Sequence, residues 1–321
     1  MRFIIYGAGA VGGTIGARLF QHSNDVILIC RGAHLDAIRS RGLNFLTPDE
    51  DQLLSIPTAS HPREIDFRPG DVVFLTMKTQ DSLEALLALR DIAGNRVPII
   101  CAQNGVYNEP LASRFFAHVY GMLVMLPATF LEPGIVMSES RSASGVLDAG
   151  RFPTGIDPII EEVTTALDNA NFSAQPSSNI MPWKYAKMLI NLRNSLKVIA
   201  DNFDSYSKIS SDVIHEAKAC FAAAAIQCTT REEYLARRSD LIELAPIKGQ
   251  QRAGDSTEQS ILRGVNSIET DYLNGEIVKL GCLYGIATPN NSLAQQLANT
   301  VKEDKLALHS VSAEEFIAQL D

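Results

Sequence analysis

The residues of this chain that could do chemistry begin at its seventh position. Gly7-Ala8-Gly9-Ala10-Val11-Gly12 follows a short apolar run and opens a stretch with helical spacing. Each of the three glycines has a physical reason at this spacing. The first allows a tight turn, the second lets the backbone approach a pyrophosphate, and the third lets a helix pack closely on a strand. The helix start offers N–H groups and a positive dipole end to an anion. A small-residue turn that holds nothing is the plainer alternative. Arg31 follows the next apolar run, residues 25–30. An acidic residue there would bind a ribose 2′-hydroxyl, whereas a guanidinium suits a 2′-phosphate. Together the two features predict an NADP(H) site, with a solvated strand-end arginine as the competing account of Arg31.

A second constellation stands in the later half. Lys187, Asn191 and Asn194 occur at i, i+4 and i+7, which places them on one face of a helix. Met188, Leu189, Ile190, Leu192 and Leu196 in the same run need burial, so a lysine in line with two asparagines is read as more than solvent cover. A surface lysine is the alternative for Lys187, and Lys184, three residues earlier, competes for its role. Lys78 and Asn104 each follow a predicted strand, at the strand ends where ligands of open parallel sheets collect.

The elements that must position these residues alternate in the first half. Strands are predicted at 2–6, 25–30, 71–77 and 96–101, the last entered through Pro98, with a helix over 10–20. Apolar strands spaced by helices indicate a parallel sheet covered on both faces. Hairpin-like alternation follows over 135–147, then a helix at 157–170 and a short strand at 172–174. From about Asn179 the pattern is helical. Pro182-Trp183 opens a helix running to about Asp201, one or two more span 211–236, and 245–255 reads as a mobile loop. Ser256-Thr257-Glu258-Gln259 forms a capping box for a helix to about Gly281, and a last helix starts near Asn291. The expected fold is α/β: a Rossmann-like parallel-sheet domain over 1–178, then an all-helical domain over 179–321.

Composition narrows the function classes. At 321 residues, 46% hydrophobic and 20% charged, the chain suits two soluble domains. No apolar run approaches the roughly 20 residues of a bilayer span, and no signal peptide is read at the N-terminus, so a cytoplasmic protein without a membrane partner is expected. A net charge of −9 argues against a broad nucleic-acid-binding face. Cys30, Cys101, Cys220, Cys228 and Cys282 lack C-x-x-C spacing and are read as reduced core residues, with no metal site expected.

The chain resembles the ketopantoate reductase family over nearly its whole length. The resemblance is carried by the glycine loop with Gly13 and Arg31, by Lys78 in Thr76-Met77-Lys78-Thr79-Gln80, and by Gln103-Asn104-Gly105. It continues in Trp183-Lys184-Tyr185-Ala186-Lys187 through Asn194, in Ser256-Thr257-Glu258-Gln259-Ser260, in Ile268-Glu269-Thr270-Asp271 through Gly275, and in Gly285 through Asn290. It implies a Rossmann domain followed by a helical one, with the active site in the cleft between them. It also implies hydride transfer from NADPH to the carbonyl carbon of a 2-oxo acid, 2-dehydropantoate in the pantothenate pathway. By resemblance Lys187 is the general acid and Glu269 hydrogen-bonds the substrate hydroxyl. Asn104 contacts cofactor and substrate, Lys78 faces the same site, Asn191 and Asn194 contact substrate, and Ser256 or Thr257 meets its carboxylate.

Two departures stand out. Some family members place the second helix asparagine eight residues after the lysine, where this chain has Ser195, and the bulky Arg193 stands where a small residue is expected. The competing functions are a dehydrogenase of the same build acting on another 2-oxo or opine-like substrate, and an NADP-binding redox sensor without turnover. A homodimer is left open.

Overall fold

The computed structural model describes residues 1–247, 268–303 and 305–320. The apolar segments of the first half form β1 (Arg2–Tyr6), β2 (Asp25–Ile29), β3 (Leu43–Leu46), β4 (Asp51–Leu54), β5 (Thr58–Ala59), β6 (Asp71–Leu75), β7 (Ile99–Cys101), β8 (Val119–Met122), β9 (Ala128–Thr129), β10 (Ile135–Ser138) and β11 (Ala149–Arg151). Between them run α1 (Ala10–Gln21), α2 (Gly32–Arg41), α3 (Ser82–Ala93) and α4 (Asn108–Ala112), and α5 (Pro158–Asn169) follows. Seven strands make one sheet in the order β11-β8-β7-β6-β1-β2-β5. β1 pairs in parallel with β2 and β6, so Arg2 stands opposite both Asp25 and Asp71; β11 is antiparallel to β8.

Alternate residues of these strands enter two different cores, as the two-residue strand period requires. Phe3, Ile5, Phe74 and Ile100 pack with Ile15 and Leu19 of α1 and Ile160 of α5. Ile4, Val73, Leu75 and Ile99 pack with Leu86 and Leu89 of α3. Both faces are covered, which explains the nearly continuous apolar runs. Pro98 sits just before β7, where its carbonyl accepts from Val73 N–H at 2.9 Å. Asp157 caps α5 by accepting from Ile160 N–H at 3.1 Å, with Pro158 in the first turn.

The expected hairpin over 135–147 does not form. β10 instead pairs in parallel with β3 and antiparallel with β9, within a second sheet ordered β4-β3-β10-β9. A two-residue period identifies a strand but not its partner; here β9 lies just ahead of β10 in the chain and β3 is remote. Val146 bridges to Met125 and to Ser173, and that bridge is all the ladder that residues 172–174 make.

Later come α6 (Met181–Asn191), α7 (Arg193–Ile199), α8 (Ser207–Ala223), α9 (Arg231–Arg238), α10 (Thr270–Tyr284), α11 (Pro289–Lys302) and α12 (Ala313–Ala318). The helix predicted over 182–201 is interrupted at Leu192. The N-terminus of α11 meets Glu216 of α8, which accepts from the backbone N–H groups of Asn290 at 2.9 Å and Asn291 at 3.0 Å. α12 follows the helix expected to be last and carries its own Ser312–Glu315 capping box.

Contacts divide the chain into two units. One holds residues 1–104, 108–184 and, among the described residues, 231–247; the other holds 105–107, 185–230 and the described residues from 268 onward. The division therefore differs from a single cut at 178. Residues 179–184 join the sheet unit because Lys184 is buried there, and α9 joins because Arg237 holds Asp148 at 2.7 Å and Ser173 at 3.0 Å. No helix among the described residues is long and apolar enough to cross a membrane. Cys30, Cys101 and Cys220 are buried, but Cys228 is only half-buried and Cys282 is exposed, so those two are not core residues. Ser256, Thr257, their capping box and residues 248–255 of the expected loop lie outside the described residues.

Candidate active site

The three glycines of the first loop do three different jobs. Gly7 has φ +108°, and a Cβ there would stand 2.7 Å from Met77 N, so both conformation and space demand glycine. A Cβ on Gly12 would collide with the Gly7 carbonyl, with Thr76 Oγ1 and with Ile5; this is the close helix–strand contact. A Cβ on Gly9 would find nothing nearer than Phe130 Cδ1 at 3.8 Å. Space is thus left open at the start of α1, where a pyrophosphate would lie. Two side chains pin the loop. Thr76 Oγ1 bonds the carbonyls of Tyr6 at 2.9 Å and Gly7 at 2.8 Å. Buried His34 accepts at Nδ1 from Gly134 N–H at 2.9 Å, so its Nε2–H donates to the Ala8 carbonyl at 2.8 Å. Sequence reasoning missed His34, whose partners Ala8 and Gly134 lie in separate segments.

Arg31 directly follows β2 and Cys30. Its side chain is 78% exposed, and its guanidinium lies 3.4 Å from Asp81 Oδ1. Gly7, Ser60, His61 and Glu84 line the same concave surface. Burial pushes the neighbouring Tyr6 hydroxyl up and the Cys30 thiol up to about 11, so Cys30 is no thiolate at neutral pH.

Lys78 and Asn104 follow β6 and β7, so they share with Gly7 the C-terminal edge of the parallel sheet. Lys78 is half-buried. Asn104 Oδ1 is buried and has no hydrogen-bond partner among the described residues. Next to it, Gln103 Nε2 donates to Met77 O and Ser82 Oγ, both at 2.8 Å. An open loop at a helix start, an exposed guanidinium one strand away and an amide oxygen without a partner among the described residues at the same edge fit a nicotinamide dinucleotide.

Lys184 belongs to this unit as a structural group. It is 3% exposed and its Nζ lies 2.6 Å from Glu109 Oε1. The same ammonium donates to the carbonyls of Gln103 at 2.8 Å, Met122 at 3.2 Å and Cys101 at 3.4 Å. Burial holds the Glu109 carboxyl above the usual carboxylate range even though the Lys184 charge pulls it down. Burial also holds the Cys101 thiol well up.

In the other unit Lys187 is half-buried on α6, and Asn191 is buried with Nδ2 unpartnered among the described residues. Asn194 is half-buried on α7, beyond the interruption at Leu192, so one continuous helix does not carry all three. Ser195, the residue eight after Lys187, is buried. It donates to Asn274 Oδ1 at 2.7 Å and, its single proton used, accepts from Thr270 Oγ1 at 2.7 Å. Asn274 Nδ2 continues to Asn291 Oδ1 at 3.1 Å. Glu269 is buried and is the N-cap residue of α10 rather than a residue within it. Arg193 is exposed and lies over the Phe203 ring at 5.5 Å.

Known proteins share this build. The family described as Ketopantoate reductase PanE/ApbA matches residues 3–153, and its C-terminal counterpart matches residues 179–302. The 2-dehydropantoate 2-reductase of Pyrococcus horikoshii is 29% identical over 303 residues, covering 91% of this chain and 95% of that protein. A solved PanE/ApbA family ketopantoate reductase from Ralstonia eutropha superposes with TM-score 0.78 at 24% identity, covering 95% of this chain and 99% of its own. A D-mandelate dehydrogenase solved with NADH and anilino(oxo)acetate gives TM-score 0.79 at 23% identity, with the same coverage. With matches over both halves, the chain belongs to the ketopantoate reductase family of oxidoreductases.

Proposed function

We propose that the chain reduces a 2-oxo acid with NADPH, 2-dehydropantoate being the first candidate and pantoate its product. The observation that carries this reading is the convergence of the glycine loop, Arg31, Lys78 and Asn104 on one edge of the sheet in a chain whose two halves both match the family. Bound NADPH supplies the hydride. Residues 7–12 and the start of α1 hold the pyrophosphate, Arg31 the 2′-phosphate, and Lys78 and Asn104 orient the nicotinamide end. Substrate handling falls to Asn104, Lys187, Asn191, Asn194 and Glu269, with Ser256 or Thr257 for the carboxylate. Lys187 Nζ donates a proton to the carbonyl oxygen as the carbon is reduced, and its charge stabilises the developing alkoxide beforehand. Glu269, withdrawn from solvent, hydrogen-bonds the substrate hydroxyl. The protein is assigned to the cytoplasm, with no nucleic-acid or membrane partner; a homodimer is compatible with the assignment.

A second reading, reduction of a different 2-oxo acid, is favoured by Ser195. This residue is bonded into the Thr270–Asn274 network and so does not stand in for a second substrate amide. NADPH oxidation followed with 2-dehydropantoate and a panel of 2-oxo acids tests both. Preferred turnover of 2-dehydropantoate supports the first, and preferred turnover of another acid the second. Tight NADPH binding without turnover of any acid overturns both in favour of a sensor.

A further inference from the structure

Arg31 does not face its pocket alone. Asp81, from the short turn ahead of α3, places Oδ1 3.4 Å from the Arg31 guanidinium, and Glu84 lines the same surface one turn on. One guanidinium thus pairs with one carboxylate and shares its surface with a second where the ribose end of the proposed cofactor would lie. We propose that Asp81 is a specificity-determining residue of the cofactor site, one that narrows the preference for a 2′-phosphorylated dinucleotide over its 2′-hydroxyl form. The inference rests on the NADPH reading and refines it.

The two forms of the dinucleotide ask different things of the Arg31–Asp81 pair. Both partners are solvent-accessible, Arg31 at 78% and Asp81 at 42%, and exposed pairs of this kind are weak. A phosphate monoester brings nearly two negative charges and several acceptor oxygens, and forms charge-assisted bonds to a guanidinium. It therefore takes Arg31 from Asp81. The displaced carboxylate remains tethered beside the phosphate, and two like charges a few ångströms apart repel. A ribose hydroxyl asks for the opposite. It is neutral, it donates a hydrogen bond, and a carboxylate is the acceptor that suits it. Asp81 thus penalises the phosphate and rewards the hydroxyl. Arg31 taken alone would give a strong NADPH preference; Arg31 with Asp81 gives a reduced one, with NADH retained as a usable partner.

The test is direct binding, independent of turnover. Dissociation constants for NADPH and NADH, read from nicotinamide fluorescence, are compared for the unaltered protein, Asp81→Asn and Arg31→Ala. Calorimetry with 2′,5′-ADP and 5′-AMP isolates the ribose end. Asp81→Asn is expected to tighten NADPH and 2′,5′-ADP by roughly three- to tenfold and to weaken NADH by roughly two- to fivefold, the gain for the phosphate shrinking at high salt. Arg31→Ala is expected to weaken the 2′-phosphorylated ligands selectively. An unchanged NADPH-to-NADH ratio in Asp81→Asn, or an equal change for both cofactors, overturns the proposal. Equal losses for both cofactors in Arg31→Ala overturn the role of Arg31 instead. A ratio that shifts in Asp81→Asn while Arg31→Ala leaves it alone keeps Asp81 as the selector and removes Arg31.

Discussion

Lys184 and Lys187 stand three residues apart on α6, yet they differ in burial. Lys184 is sealed, with one carboxylate and three backbone carbonyls around its ammonium. Lys187 is half-buried, open enough to meet a substrate. The difference separates a lysine that holds the fold together from one left for the proton-donating role proposed above. A group whose donors are all engaged inside the core has none to offer a substrate, so Lys184 falls away as the rival general acid. The sealed lysine still serves the site indirectly. It bonds the carbonyl of Gln103 and so fixes the chain leading to Asn104.

An exchange of phenotypes between the Lys184 and Lys187 variants would overturn both assignments. Lys184→Met should remove about 3–5 kcal/mol of stability, because the buried Glu109 is left without its cation and three carbonyls lose a donor. The pH dependence carries the sign. A carboxyl whose folded pKa is raised contributes stability below its ordinary range and loses it as pH rises through the folded value. Lys184 limits that rise for Glu109, so in Lys184→Met the melting temperature should fall more steeply between about pH 5 and pH 8 than in the unaltered protein. Parallel pH curves for the two proteins would remove the ion pair from the account.

Lys187→Ala should leave the melting temperature nearly unchanged and lower kcat by ~10²-fold or more, as loss of a general acid does. NADPH affinity should hold, because the glycine loop and Arg31 belong to the sheet unit. Turnover at the unaltered rate would end the general-acid role.

The sequence made one lysine legible and hid the other, for a physical reason. The i, i+4 spacing of Lys187 and Asn191 is a local property of a helix, and so are the glycine positions at β1 and α1. The partner of Lys184 is Glu109, on a different helix, and no periodicity connects them. The same limit hid the pairing of β10 with β3: alternation over 135–147 suggested a hairpin within that segment and gave no sign of the distant strand. The interruption at Leu192 was also invisible, because no residue from 188 to 192 is a glycine or a proline. Asn274 was visible within the motif around Glu269, but its bond to Ser195 joins two segments that only tertiary packing brings together.

The smallest effect is expected in the other unit, at Ser195, whose direct partners are neutral where those of Lys184 include a carboxylate. Ser195 stands between Thr270 Oγ1 and Asn274 Oδ1, each 2.7 Å away. Ser195→Ala leaves an amide oxygen and a hydroxyl each short of one bond, with no charge stranded. Thr270 Oγ1 already lies 3.5 Å from Asn274 Oδ1 and can turn its proton there, so part of the loss is recovered. The expected cost is about 1–2 kcal/mol, below that of Lys184→Met, with no added dependence on pH between 5 and 8 because the atoms affected do not titrate. Chemical denaturation of both variants at two pH values reads this directly. Should Ser195→Ala cost as much as Lys184→Met, or melt with a new pH dependence, the charge of the direct partner would not be what distinguishes the two sites.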